Sequence, residues 1–259
     1  MIDNQTTPAP SSDWRWEGDD AAEVCVVGHS HRAALVAAIR IPNLRPGVPV
    51  AALHGANGAL QDPDDAYWNI ACGLPRERTL AIVWNGNQHI ASFLFMPSPP
   101  FTLASVRDAS RAIVPEEAIR TFFGPTLVDL EQLLERIGSD REVVVTGTPP
   151  PKRDAIIRER MEREPVLKQL MVDGGFDPET APLTPGRLRV ALWRIVQDLL
   201  ADVAAAHGAR FVPVPDDAFA EDGHLRDDLS APDATHANER YGALMLRAIA
   251  DVVAEARAQ

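Results

Sequence analysis

The feature that most constrains this chain is a set of five short runs, at 23–28, 48–54, 79–84, 142–147 and 209–214, that are apolar at nearly every position. A strand with one wet face alternates apolar and polar residues, whereas a strand that is apolar throughout needs cover on both faces. The cover is legible between the runs. Leu127, Leu130, Leu133, Leu134 and Ile137 recur with helical spacing and stop at Gly138. The same period returns in Leu188, Leu192, Ile195, Leu199 and Val203, and again in Tyr241, Leu244, Met245, Ile249 and Val252. Strands alternating with helices predict an α/β protein, a three-layer α/β/α sandwich around a five-stranded parallel sheet. Ligands in such sheets sit beyond the carboxyl ends of the strands. Ser30, Gly55 or Gly58, Asn87 and the segment after Gly147 fall there.

Composition narrows the classes further. The 259 residues are 46% hydrophobic and 24% charged, enough for one sizeable core. The net charge of −12 gives a field that repels nucleic acid and anionic membranes, and no basic cluster overrides it. No apolar stretch approaches the roughly 20 residues that span a bilayer, so no membrane insertion is expected. The polar, proline-containing start lacks the basic and apolar regions of a secretory signal. Cys25 and Cys72 make no disulfide framework. These features predict a cytoplasmic protein. They leave the oligomeric state undetermined.

The expected organisation is a flexible lead-in over 1–20 and a single domain over 21–259. Trp14 and Trp16 are expected to dock back on the body, since two indoles so close are seldom both left in water. One stretch, 148–186, exceeds an α/β connection. It opens on Pro149-Pro150-Pro151, contains a charged helix-like piece over 154–171, and reads as an insertion. Two readings fit it: a cover over the strand ends that selects substrate, or a solvated helix. Its Lys152, Arg153, Arg158, Arg160 and Arg163 suit an anionic partner, while Glu159, Glu162 and Glu164 suit a self-paired helix.

The chemistry-bearing residues follow the strands. Ser30 stands in the turn Gly28-His29-Ser30-His31, where a hydroxyl is presented at the sheet edge near the N-terminus of the next helix. The plainer reading is a helix N-cap. Late in the chain, Asp233-Ala234-Thr235-His236 places a carboxylate three residues before a histidine, the spacing for an orienting acid and a general base. The plainer reading makes Asp233 the cap of the last helix. Asn87, after the third run, offers a side-chain amide for a developing oxyanion, and Gly58 a backbone N–H, with Gly55 as the alternative.

In this order, Ser30, Gly58, Asn87 and then Asp233-x-x-His236, the chain resembles the SGNH hydrolase superfamily, the GDSL-type esterases and acyltransferases, over residues 22–250. The resemblance implies a flavodoxin-like SGNH fold and hydrolysis of a carboxylic ester through an acyl-serine intermediate. It implies a small-molecule or carbohydrate ester substrate, such as a sugar O-acetyl group, and no cofactor. Carried over residue by residue, Ser30 is the nucleophile, His236 the base and Asp233 its orienter. The Ser30 N–H, Gly58 and Asn87 form the oxyanion hole, with His31 and His89 as candidate substrate contacts. An O-acyltransferase using the same triad, and a silent ligand-binding domain of the same fold, remain alternatives. Block one departs from the family pattern, with His29 where an aspartate usually shapes the turn.

A rival reading rests on His29, His31, His54, His89 and His236, all near strand ends, where gathered imidazoles can bind zinc. No spacing among them matches a recognised zinc motif, so no metal is expected. There is no glycine-rich dinucleotide or phosphate-loop motif and no nucleic-acid motif.

Overall fold

A computed structural model describes residues 14–55, 62–161 and 180–258, with seven of the positions from 168 to 177. The elements run β1 (Trp14–Gly18), β2 (Val24–Gly28), α1 (Arg32–Arg40), β3 (Val50–Gly55), α2 (Asp65–Cys72), β4 (Thr79–Val83) and α3 (Gln88–Phe93). They continue through β5 (Phe101–Leu103), β6 (Ala112–Val114), α4 (Glu116–Phe123), α5 (Val128–Ile137), β7 (Val143–Thr146) and α6 (Asp154–Met161). The last three are α7 (Gly186–Ala206), β8 (Arg210–Val212) and α8 (Glu239–Arg257). The main sheet has the order β1-β3-β2-β4-β7-β8, and β5 pairs with β6 in a separate two-stranded piece.

The pleat of the sheet divides the core in two. Cys25 and Val27, Leu80 and Ile82, and Val143 and Val145 face one side, where they pack with Leu127, Leu130, Leu134, Leu192 and Leu200. Val24 and Val26, Ala81 and Val83, and Val144 face the other side, against Leu35, Ile39, Tyr241, Met245 and Ile249. Alternate residues thus meet helices on opposite faces, which is why the middles of these runs carry no polar positions. Gly138 ends α5 at φ +78°, the left-handed residue expected after a helix.

The five expected strands are present and mutually parallel, but the sheet is not five-stranded. It has six strands and is mixed, because β1 pairs antiparallel with β3, from Trp14↔Gly55 to Gly18↔Ala51. These residues lie inside the expected flexible lead-in. An uncovered edge strand exposes unpaired backbone groups, and β1 covers the β3 edge. Trp14 is anchored by a hydrogen bond from its Nε1 to Asp64 Oδ1 (2.8 Å) and by an edge contact with Tyr67. Among the described residues, no helix is long and apolar enough to cross a membrane.

Helices α1 and α8 touch at backbone distance. A Cβ on Gly242 would lie 2.0 Å from the Ala34 carbonyl oxygen. A glycine-to-alanine change inside a helix ordinarily stabilises by up to about 1 kcal/mol. Here the helices must separate, so Gly242→Ala is expected to destabilise by about 2 kcal/mol or more, read as a lower urea midpoint at unchanged m-value. A raised midpoint would refute the close contact.

Candidate active site

The site begins with a turn that only glycine permits. Gly28 closes β2 at φ +134°, and a Cβ there would meet the Val83 carbonyl oxygen of β4 at 2.0 Å. The next amide, His29 N–H, bonds that same carbonyl (2.9 Å). Two buried side chains fix the turn from below. Tyr67 Oη accepts the Gly28 N–H (2.6 Å). Arg32, fully buried, donates Nε to the Leu53 carbonyl of β3 (3.1 Å) and another guanidinium nitrogen to the Gly28 carbonyl. Its guanidinium also lies 5.1 Å from the centre of the Tyr67 ring, a cation–π contact. These groups hold the strand end beside His29. His29 instead packs edge-on against Trp84, at 4.5 Å between ring centres.

This turn points Ser30 at the loop before α8. Ser30 Oγ lies 2.9 Å from His236 Nε2, across 206 residues of sequence. His236 Nδ1 lies 3.0 Å from Asp233 Oδ2. With its proton on Nδ1, facing the carboxylate, Nε2 is free to accept from the hydroxyl. Asp233 Oδ1 accepts the backbone N–H of Thr235 (2.8 Å) and of His236 (2.6 Å), so the carboxylate also shapes the turn. Burial alone would raise the Asp233 pKa. The hydrogen bonds and charge of His236, with the charge of Lys152, outweigh burial and hold it well below the usual carboxylate range.

The plainer readings of these residues do not hold. Helix α1 starts at Arg32 after His31 in the N-cap position, so Ser30 is not a cap. Helix α8 is capped by Asn238, whose side chain accepts the N–H groups of Arg240 and Tyr241, and not by Asp233. Asn87 sits at φ −105°, where no left-handed backbone requires it. It ends the turn after β4, the strand next to β2, and its side chain makes no capping bond to α3. Gly86 beside it is packed against Thr148, whose Oγ1 would be 2.1 Å from an added Cβ. Gly58 lies outside the described residues, while Gly55 ends β3 on the other side of β2.

His31 and His89 are both buried, and neither is presented as an open contact surface. The His31 ring lies 5.1 Å from that of His236. Its Nδ1, both ring nitrogens of His89 and Nδ1 of His29 are buried without a hydrogen bond of normal geometry. Burial drives all three toward the neutral form, His29 to about 4, His89 to about 3 and His31 well down, with the His236 charge adding to the effect at His31. Among the described residues, no three of His, Cys, Asp and Glu converge as a metal site.

Three residues of the site went unread in the sequence: Arg32, Tyr67 and Lys152. For the first, the signal is an arginine immediately after the Ser30 turn, opening the apolar run 33–39. Lys152 stands out only as one cation of the 148–186 segment, and Tyr67 carries no signal.

Comparison with protein-family models gives no match, and neither does comparison with curated proteins. Solved structures do match in fold. The periplasmic domain of a lipopolysaccharide acetyltransferase from Salmonella ser. Paratyphi A aligns over 91% of this chain and 85% of its own, at 13% identity and a TM-score of 0.48. A GDSL-like lipase from Bacteroides thetaiotaomicron covers 90% and 88% at 12% identity and 0.42. A carbohydrate acetylesterase from Sinorhizobium meliloti covers 90% and 98% at 12% and 0.41.

The buried histidines give a signed pH dependence. Their folded pKa values lie below the unfolded value of about 6.5. Between pH 6.5 and the folded values, the unfolded chain binds protons that the folded chain does not. Stability is therefore full above pH 6.5 and falls as pH is lowered, by up to about 1.4 kcal/mol per pH unit for each such histidine. Asp233 adds a loss below about pH 4, where the unfolded carboxylate protonates first. Urea unfolding of the wild type at pH 7 and pH 5 should show the decline, and His89→Gln should flatten it. An identical slope in that variant would contradict the assignment.

Proposed function

We propose that this chain is a serine esterase of the SGNH type, acting on a small carboxylic ester through an acyl-Ser30 intermediate. The observation that carries the reading is the hydrogen-bonded line from Ser30 Oγ through His236 to Asp233, at 2.9 and 3.0 Å. In this scheme Ser30 Oγ attacks the ester carbonyl as His236 Nε2 takes its proton, and Asp233 stabilises the imidazolium. The tetrahedral oxygen is met by the Ser30 N–H and the Asn87 amide at the N-terminal end of α1, where backbone N–H groups and the helix dipole favour negative charge. Gly58 is the third donor that the sequence resemblance implies. His236 then returns the proton to the departing alcohol. Water attacking acyl-Ser30 completes hydrolysis, and a second alcohol in its place completes acyl transfer. The resemblance implies a small-molecule or carbohydrate ester, such as a sugar O-acetyl group, as substrate, with His31 and His89 shaping the site from within. The active-site chemistry draws on no cofactor.

Three measurements test this. A fluorophosphonate should label the protein, and mass mapping should locate the adduct on Ser30. Ser30→Ala and His236→Ala should each lower turnover of p-nitrophenyl acetate by about 10³-fold or more with the fold retained. Asn87→Ala should lower kcat by about 10²–10³-fold with KM little changed. Hydrolysis by Ser30→Ala within a few-fold of wild type would refute the nucleophile, and loss to a chelator with recovery on zinc would favour the metal reading. A raised KM at constant kcat in Asn87→Ala would make it a binding residue.

A further inference from the structure

The first residues after β7 are a buried strap, whereas the helix α6 that follows is partly exposed. Thr148 through Lys152 are all buried, and Pro149-Pro150-Pro151 give the segment a stiff backbone with no N–H to satisfy. Trp193 Nε1 donates to the Thr148 carbonyl (3.1 Å), and Leu225 N–H to the Pro151 carbonyl (3.0 Å). At the end of this strap, fully buried Arg189 donates to the Lys152 carbonyl (3.1 Å) and to the Thr184 carbonyl (2.6 Å), and pairs with Asp154. The Lys152 backbone is thereby held independently of its own side chain.

That side chain crosses to the turn carrying Asp233 and His236. Lys152 is 1% exposed. Its Nζ donates to the Ala231 carbonyl (3.0 Å) and to the Asp233 carbonyl (2.5 Å), and stands 3.7 Å from Asp233 Oδ1. Asp233 Oδ1 is the oxygen that bonds the Thr235 and His236 amides, while Oδ2 faces the imidazole. The neighbouring cations of the segment are engaged elsewhere. Arg153 pairs with Asp222 and Asp227, and Arg158 donates to the Ala181 carbonyl. A buried amine with four carbons of reach, spent on two carbonyls and one carboxylate of a single turn, is a costly arrangement to keep for packing alone.

We propose that Lys152 is a positioning residue: its buried Nζ pins the Ala231–Asp233 turn and so sets the Asp233 carboxylate against His236 for proton transfer from Ser30. This rests on the serine-esterase reading. It acts through Asp233 and touches neither substrate nor Ser30. Its two actions are separable. The donors fix the turn, and the positive charge opposes formation of the imidazolium while favouring the carboxylate. The charged and titratable groups around the pair are Asp233 and Lys152, the neutral His31 ring beside His236, and Arg189 with Asp154 behind Lys152.

The experiment compares Lys152→Gln, which keeps amide donors and removes charge, with Lys152→Arg, which keeps charge, in wild-type and Asp233→Asn backgrounds. Wild type must first label with fluorophosphonate and turn over p-nitrophenyl acetate. Failure there removes the esterase reading, and this proposal with it. Given an active wild type, Lys152→Gln should fold, lower kcat/KM by about 10–100-fold, and move the acid limb of its pH profile upward by about half a unit or more. Lys152→Arg should recover activity and restore the limb. In the Asp233→Asn background, Lys152→Gln should cost little more, since the path runs through Asp233. Wild-type kcat/KM and pH limb in Lys152→Gln, or a fully additive loss in the double variant, would overturn the role while leaving the esterase intact. A loss of activity with no movement of the limb, or failure of both single variants to fold, would reduce Lys152 to a structural residue.

Discussion

The close approach of β2 to β4 at Gly28 is the constraint on which the rest of the site depends. The Val83 carbonyl occupies the space where a side chain at position 28 would stand, so the chain must leave β2 in a conformation that L residues rarely adopt. A turn of that kind needs its backbone groups satisfied. Tyr67 takes the Gly28 N–H, Arg32 takes the Gly28 and Leu53 carbonyls, and Val83 takes the His29 N–H. Each of these partners belongs to a different element: α2, α1 and β4. The position of Ser30 is therefore a property of four packed elements and not of a local motif. The buried aromatic–guanidinium pair of Tyr67 and Arg32 also bridges β2 to β3.

The electrostatics of the site are consistent with that construction. In an acidic chain, three cations, Arg32, Lys152 and Arg189, are withdrawn from solvent at the carboxyl edge of the sheet and directed mostly at main-chain carbonyls. Carbonyl partners satisfy a buried cation without adding a full opposing charge, and each charged hydrogen bond is worth about 1.5–3 kcal/mol. The histidines around Ser30 are neutral because they are dry. The result is a hydrogen-bonded line in which an ionised Asp233 faces the partly buried ring of His236.

The sheet was legible because strands covered on both faces write an unmistakable apolar run, and the long helices were legible because each buries one stripe. Edge strand β1 was not, because Trp14-Arg15-Trp16-Glu17-Gly18 has no such run; only the two indoles betrayed it. The order of Ser30, Asn87, Asp233 and His236 along the chain could be read, since each follows a strand or precedes a helix. The alternatives of capping and turn roles could not be dismissed from sequence, because Ser, Asp and Asn serve those roles equally well. They fell only when Asn238 was seen to cap α8 and His31 to stand before α1.

What the sequence by itself determined is the layered α/β architecture and the identity of the residues delivered to the carboxyl edge, because hydrophobic period and strand order are local properties. What only the tertiary structure decided is which of them meet. The 2.9 Å contact between Ser30 and His236 joins two points 206 residues apart, and the burial of Arg32 and Lys152 reverses what their charge suggests in one dimension. In the sequence Lys152 is one of a group of cations that suits either an anionic partner or a self-paired helix. Its actual place follows from a proline strap that carries it inward, and no spacing rule encodes where a buried strap ends.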